Sequence, residues 1–158
     1  MTRIGALTAL VAVSALAAPL PVAGARTTAV QFNHKANAVC ATAGDKIEKL
    51  PGTDSTSLVK NFRAQIKIIN TMVRRLDAIE APKAQRAQYR SFVAVQRQQV
   101  AFVEKSLAAA KAKDTKRAAA LLFQVVKKGQ RGVRLATDLD LSDCARDYYP
   151  GVTNPNVK

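Results

Sequence analysis

The stretch DTKRAAALLFQVVKKGQRGVRLATDLDLSDC, residues 114–144, decides the fold. Ala118, Leu121, Leu122, Val125, Val126, Gly129, Val133, Ala136 and Leu139 recur at steps of three and four, the spacing of one helical stripe. Asp114 stands where a helix needs an N-cap oxygen. Cys144 follows a few residues beyond the last apolar position, and the only other cysteine is Cys40, near the opposite end of the chain. The simplest pairing is one disulfide, Cys40–Cys144.

Three further stripes precede this one. Phe32, Ala36, Val39, Cys40, Ala43, Ile47 and Leu50 form the first, ended by Pro51-Gly52, after which Thr53, Asp54, Ser55 and Thr56 offer a cap. Leu58, Val59, Phe62, Ile66, Ile69, Met72, Val73, Leu76 and Ile79 form the second, which stops at Ala81-Pro82. Proline suits the first turn of a third helix. That helix places Tyr89, Phe92, Val93, Gln96, Val100, Val103, Leu107 and Ala110 on one side and ends near Lys113-Asp114. No stretch alternates in the manner of a strand. The chain is therefore read as all-α, an up-down-up-down four-helix bundle with short connections. An even number of passes returns the chain to its starting pole. Cys40 and Cys144 can then come within the Cα separation a disulfide requires, about 4.4–6.8 Å. A three-helix reading puts them at opposite poles.

The first residues set the compartment. Arg3, the apolar run 4–18 and the small residues Ala23-Gly24-Ala25 have the layout of a signal peptide cleaved after Ala25. An uncleaved membrane anchor is the rival reading, and Pro19 and Pro21 weigh against it. Domain limits follow: 1–25 signal peptide, 26–147 bundle, 148–158 tail. The segment removed carries one arginine and no acid, so the remainder keeps nearly all of the formal net charge of +14. Secretion or placement in the cell envelope is expected, with no transmembrane segment in the mature chain.

Some positions match a known pattern. Asn37-Ala38-Val39-Cys40, the Ala81-Pro82 break followed by Tyr89, the run from Ala108-Ala109-Ala110 to Lys113-Asp114, and Leu139-x-Leu141-x-x-Cys144 resemble small exported actinobacterial helical-bundle proteins with one cysteine pair. The likeness covers about residues 33–144. It implies an exported bundle and no particular activity. Where that group has glycine between the two late leucines this chain has Asp140, which leaves the helix-ending geometry there open; aspartate tolerates left-handed backbone better than most residues.

Catalytic arrangements are few. Triads and zinc sites usually need histidine, and His34 is the only one. Covalent haem attachment lacks its Cys-x-x-Cys-His segment, and the Glu-x-x-His pattern of di-iron bundles does not occur. Non-covalent haem held by His34 and Met72, or another small ligand, is the alternative function. Asp138, Asp140, Asp143 and Asp147 faintly resemble a calcium loop, but Asp143 stands where the turn glycine belongs and Tyr149 where the closing glutamate belongs. The plainer reading is a solvated helix end with Asp138 in pairing range of Arg134. Asp77 and Glu80 make a carboxylate pair with nothing to mark a sugar cleft. The expectation is a non-enzymatic protein with no cofactor.

Charge is the one positive clue. Lys60, Arg63, Lys67 and Arg74 fall along one side of the second helix. Lys83, Arg86, Arg90 and Arg97 do so on the third, and Lys127, Arg131 and Arg134 on the fourth. Such stripes suit lipid headgroups or anionic envelope polymers, although an outer face that only confers solubility has the same composition. Sequence-specific nucleic-acid recognition is not expected, because the arginines spread over three helices rather than one recognition element. Gly129 and Gly132 are expected to mark a close helix–helix approach, Gln96 a register-setting polar contact or a small pocket, and Tyr148-Tyr149-Pro150 a cover over the disulfide-bearing pole.

Overall fold

The computed structural model describes residues 28–50 and 58–146, with side chains from residue 61 onward in the second stretch. The expected signal peptide, the cap cluster at 53–56, Asp147 and the tyrosine pair lie outside the described residues. Four helices run in sequence: α1 Ala29–Glu48, α2 Leu58–Asp77, α3 Arg86–Lys111 and α4 Thr115–Thr137, followed by a short 3-10 turn, η1, Ser142–Ala145. No strand occurs among the described residues.

Local chemistry sets the helix ends. The Thr28 side chain accepts from the Gln31 amide at 3.2 Å and Gln31 Oε1 accepts from the Thr28 amide at 3.3 Å, a capping box that starts α1. Asp114 caps α4 as expected, accepting from Arg117 N at 3.0 Å. The third helix begins later than proline suggested. Pro82 opens a turn closed by Gln85 N to Pro82 O at 2.9 Å, and α3 starts only at Arg86.

Helices α3 and α4 each end on a residue with left-handed backbone, Lys113 (φ 59°) and Asp140 (φ 57°). Asp114 N reaches Ala109 O and Lys113 N reaches Ala110 O, both at 3.0 Å. After α4, Leu141 N reaches Ala136 O at 2.9 Å and Asp140 N reaches Thr137 O at 3.0 Å. Both are Schellman closures. Aspartate thus takes the left-handed position usually held by glycine, and the buried pair Ala136 and Leu141 supplies the accompanying apolar contact.

Cross-helix contacts establish the up-down-up-down order. Tyr89 donates to Leu76 O at 2.7 Å, Arg97 meets Asp77 at 2.6 Å and Asn70 donates to Glu104 at 3.2 Å, so α2 and α3 are antiparallel. Ser106 donates to Ala118 O at 3.0 Å and Gln99 to Val125 O at 3.5 Å, so α3 and α4 are antiparallel too. On α4 the buried residues Ala118, Val125 and Gly132 recur every seven positions, a spacing that Leu139 continues just beyond the helix end, as Phe92, Gln99 and Ser106 do on α3. That period holds one seam of each helix against its partner over the full length. Because α3 packs against α2 on one side and α4 on the other, its buried face is wider than the single stripe expected. Val95, Gln99, Ser106 and Ala109 are buried, while Ala110 is exposed.

The core holds Phe32, Ile69, Met72, Leu76, Phe92, Val103, Val125, Leu139 and Leu141, all essentially removed from solvent. Each such side chain contributes about 1.5–3 kcal/mol of transfer free energy. The disulfide joins Cys40 to Cys144 with a Cα separation of 5.0 Å, tying the middle of α1 to the segment after α4. Helix α1 does not approach α4 directly, since no Cα of one comes within 8 Å of the other. The 3-10 turn lies between them. Asn37 fixes it from α1, accepting from Asp143 N at 3.0 Å and donating to Asp140 O at 3.4 Å.

Candidate functional site

A helix turns by about 100° per residue, so residues three, four and seven apart share a face. Arg63, Lys67 and Arg74 therefore share one side of α2, Arg86, Arg90 and Arg97 one side of α3, and Lys127, Arg131 and Arg134 one side of α4; every one is exposed. Lys60 belongs to α2, but its side chain lies outside the described residues. Lys83 is a correction: it is exposed in the turn before α3, so the third helix carries three arginines of the stripe and not four positions.

Neighbouring carboxylates separate these cations into two kinds. Arg97 is paired with Asp77, and Arg86 with Glu80 at 3.3 Å. Arg74 donates to the Thr71 hydroxyl at 3.4 Å. By contrast, Arg63, Lys67, Arg90, Lys127, Arg131 and Arg134, like Arg74, have no carboxylate within ion-pair distance among the described residues. Asp138 does not pair with Arg134; its backbone amide caps α4 instead, bonding to Arg134 O at 2.9 Å. Helix α4 holds Lys116, Arg117, Lys127, Lys128, Arg131 and Arg134 and no acid at all.

An aromatic side chain stands in the middle of that surface. Phe123 is 65% exposed, and the steps to Lys127, Arg131 and Arg134 are four, four and three residues, so all four share the outer face of α4. Reading for core stripes passes over Phe123, because it is out of phase with Leu121, Leu122 and Val125. That phase mismatch is the signal by which it can be found: a large apolar residue on the charged side of an amphipathic helix has no core to enter.

The remaining candidate groups are held in structural contacts. His34 is exposed on α1, whereas Met72 is buried in the core, and the concavity that Met72 lines does not include His34. Asp77 and Glu80 each face their own arginine. Asp143 pairs with Arg146 at 3.1 Å, and Arg146 also reaches Glu48 at 3.5 Å, lying over Gly44, where a methyl group would meet the guanidinium at 3.3 Å. Among the described residues no three His, Cys, Asp or Glu side chains converge as a metal site would require. Tyr89 is buried against Phe32, edge-on at 4.8 Å, and its hydroxyl is committed to Leu76 O. Burial, with a smaller contribution from the charge of Asp77, raises the phenol well above its ordinary value.

Gln96 lies in the α3–α4 seam. It is 3% exposed, its amide nitrogen would be 2.8 Å from a Cβ at Gly132, and its Oε1 has no hydrogen-bond partner. The expected close approach therefore belongs to buried Gly132; Gly129 is half-buried. Among the described residues no helix is long and apolar enough to cross a membrane. Comparison of the chain with family models, with curated proteins and with solved structures gives no match.

Proposed function

We propose that this is an exported, non-enzymatic envelope protein that adheres to anionic bilayer surfaces through the outer face of α4. One observation carries the reading: six basic residues, no acidic one, and an exposed Phe123 on the same helix. Near an anionic leaflet each lysine or arginine contributes about 1 kcal/mol, and an aromatic ring beside them enters the boundary between headgroups and acyl chains. A face built only for solubility has no use for the ring. An anionic polymer would engage the cations alone, which makes the bilayer the better match. The disulfide is compatible with an oxidising, extracytoplasmic setting.

Vesicle flotation tests this. Binding is expected to phosphatidylglycerol-containing vesicles and not to pure phosphatidylcholine, and it should weaken steeply between about 50 and 200 mM salt. Phe123→Ala should weaken binding about tenfold, and the pair Lys127→Glu, Arg131→Glu should abolish it. Equal binding to both vesicle types overturns the reading. Retention of full affinity by Phe123→Ala on phosphatidylglycerol transfers it to charge-only polymer binding.

A further inference from the structure

A concavity of about 190 Å³ opens between α1 and α2, away from the outer face of α4. Steps of three and four turn Val39, Thr42, Ala43 and Lys46 of α1 toward it, and Lys67, Ile68, Thr71, Met72 and Arg75 of α2 complete the wall. Its composition is divided by depth. Val39, Ala43, Ile68 and Met72 make an apolar floor, with Ala43 and Met72 in the core itself. Lys46, Lys67 and Arg75 stand exposed at the rim, no acid lines the wall, and none of the three cations has an ion-pair partner among the described residues.

The two hydroxyls at the site are already committed as donors. Thr42 donates to Ala38 O at 2.7 Å and Thr71 to Lys67 O at 2.9 Å. Recognition of an anion there falls to three flexible cations with no fixed donor geometry, so it selects for charge more than for headgroup shape. The floor selects for an apolar body. A cavity of about 150 Å³ accommodates a benzene ring, so this one takes a ring or a chain of about six to eight carbons.

We infer that the α1–α2 groove is a binding site for a single-chain amphiphilic anion, an alkyl carboxylate or alkyl phosphate, with its chain on Val39, Ala43, Ile68 and Met72 and its head among Lys46, Lys67 and Arg75. Charge complementarity and the apolar floor each argue for this occupant, and neither alone does. An inorganic anion leaves the floor wet. A neutral hydrocarbon leaves three cations unanswered. Sequence reading picked out Lys67 only as part of a surface stripe and passed over Lys46 and Arg75, because the rim exists only once α1 and α2 are side by side.

Methyl-resolved NMR titration with octanoate, octyl phosphate and 1-octanol tests the inference. Octanoate and octyl phosphate should shift the Ile68, Met72 and Val39 methyls saturably, and 1-octanol should bind at least about fivefold more weakly. Whichever anion binds more tightly identifies the carboxylate or phosphate as the natural head. Lys67→Glu with Arg75→Glu, both exposed positions, should remove that preference while leaving 1-octanol unchanged, and Thr42→Trp should block all three probes by filling the mouth. Equal affinity for octanoate and 1-octanol, shifts that do not saturate, or binding that survives Thr42→Trp would overturn the site. The outer face of α4 contributes nothing to it, so it stands or falls independently of vesicle binding.

Discussion

Asp140 and Lys113 occupy left-handed backbone at the ends of α4 and α3, a conformation that strains a side-chain-bearing residue and costs glycine nothing. Asp140→Gly and Lys113→Gly should each stabilise the protein by about 0.5–1 kcal/mol, read as a rise in Tm of about 2–5 °C. A fall in Tm would mean that the side chain makes a contact worth more than the strain. Tyr89 is the other residue with a measurable signature. Its folded-state pKa is raised, first by burial and then by Asp77. The protonated phenol therefore contributes stability that is complete below the unfolded value of about 10 and is lost as pH rises through and beyond it. Tyr89→Phe should cost about 1 kcal/mol at neutral pH, since Leu76 O keeps only its bond from Ile79 N at 3.0 Å. In urea titrations that gap should narrow as pH passes about 10. A gap that stays constant would show that the phenol ionises as freely folded as unfolded. The sequence announced Tyr89 as an apolar-stripe residue, but its hydrogen bond depends on where α2 ends beside it.

Helices α3 and α4 approach closely where Gly132 lies beneath Gln96. A Cβ at Gly132 would fall 2.8 Å from the Gln96 amide and 3.6 Å from Val95, so the amide has to move within a packed seam. Alanine would gain about 1 kcal/mol of helix propensity there. Displacing a buried amide costs about 1–3 kcal/mol, which offsets that gain or exceeds it. Gly132→Ala should therefore fail to stabilise and cost up to about 2 kcal/mol, and Gln96→Ala with Gly132→Ala should be less destabilising than the two single effects summed. Additive effects in the double-mutant cycle would place the close approach elsewhere. Helix periods and the Asp114 cap were legible at this scale, because they depend on residues within a turn or two. The late start of α3 was not: Pro82 is as compatible with a turn as with a first helical turn, and the backbone bond from Gln85 decided between them. Nor was the width of the α3 buried face, which reflects two neighbours where one stripe of sequence suggests one.

Across the whole molecule, the Cys40–Cys144 bridge closes a loop spanning 104 residues and ties η1 into the gap between α1 and α4. Chain entropy assigns a loop of that size about 4–5 kcal/mol, with measured cases lower. Reduction, or Cys40→Ala with Cys144→Ala, should lower the free energy of unfolding by about 3–5 kcal/mol while leaving the far-ultraviolet helical signal intact, because the apolar core is otherwise complete. Identical urea midpoints for oxidised and reduced protein would show that Asn37 and the packing of Leu139 and Leu141 already hold the pole. The sequence by itself determined the all-α class, the count of four helices, the pairing of the cysteines and the exposure of the basic stripes. Each of these follows from short-range periodicity plus the parity of the chain's passes. Only the tertiary structure decided which cations meet a carboxylate and which remain free. It alone also inserted η1 between α1 and α4 and gathered Lys46, Lys67 and Arg75 around one apolar floor. Those outcomes depend on the distance and rotation between helices far apart in the chain, and the pattern within any one helix is compatible with many such arrangements.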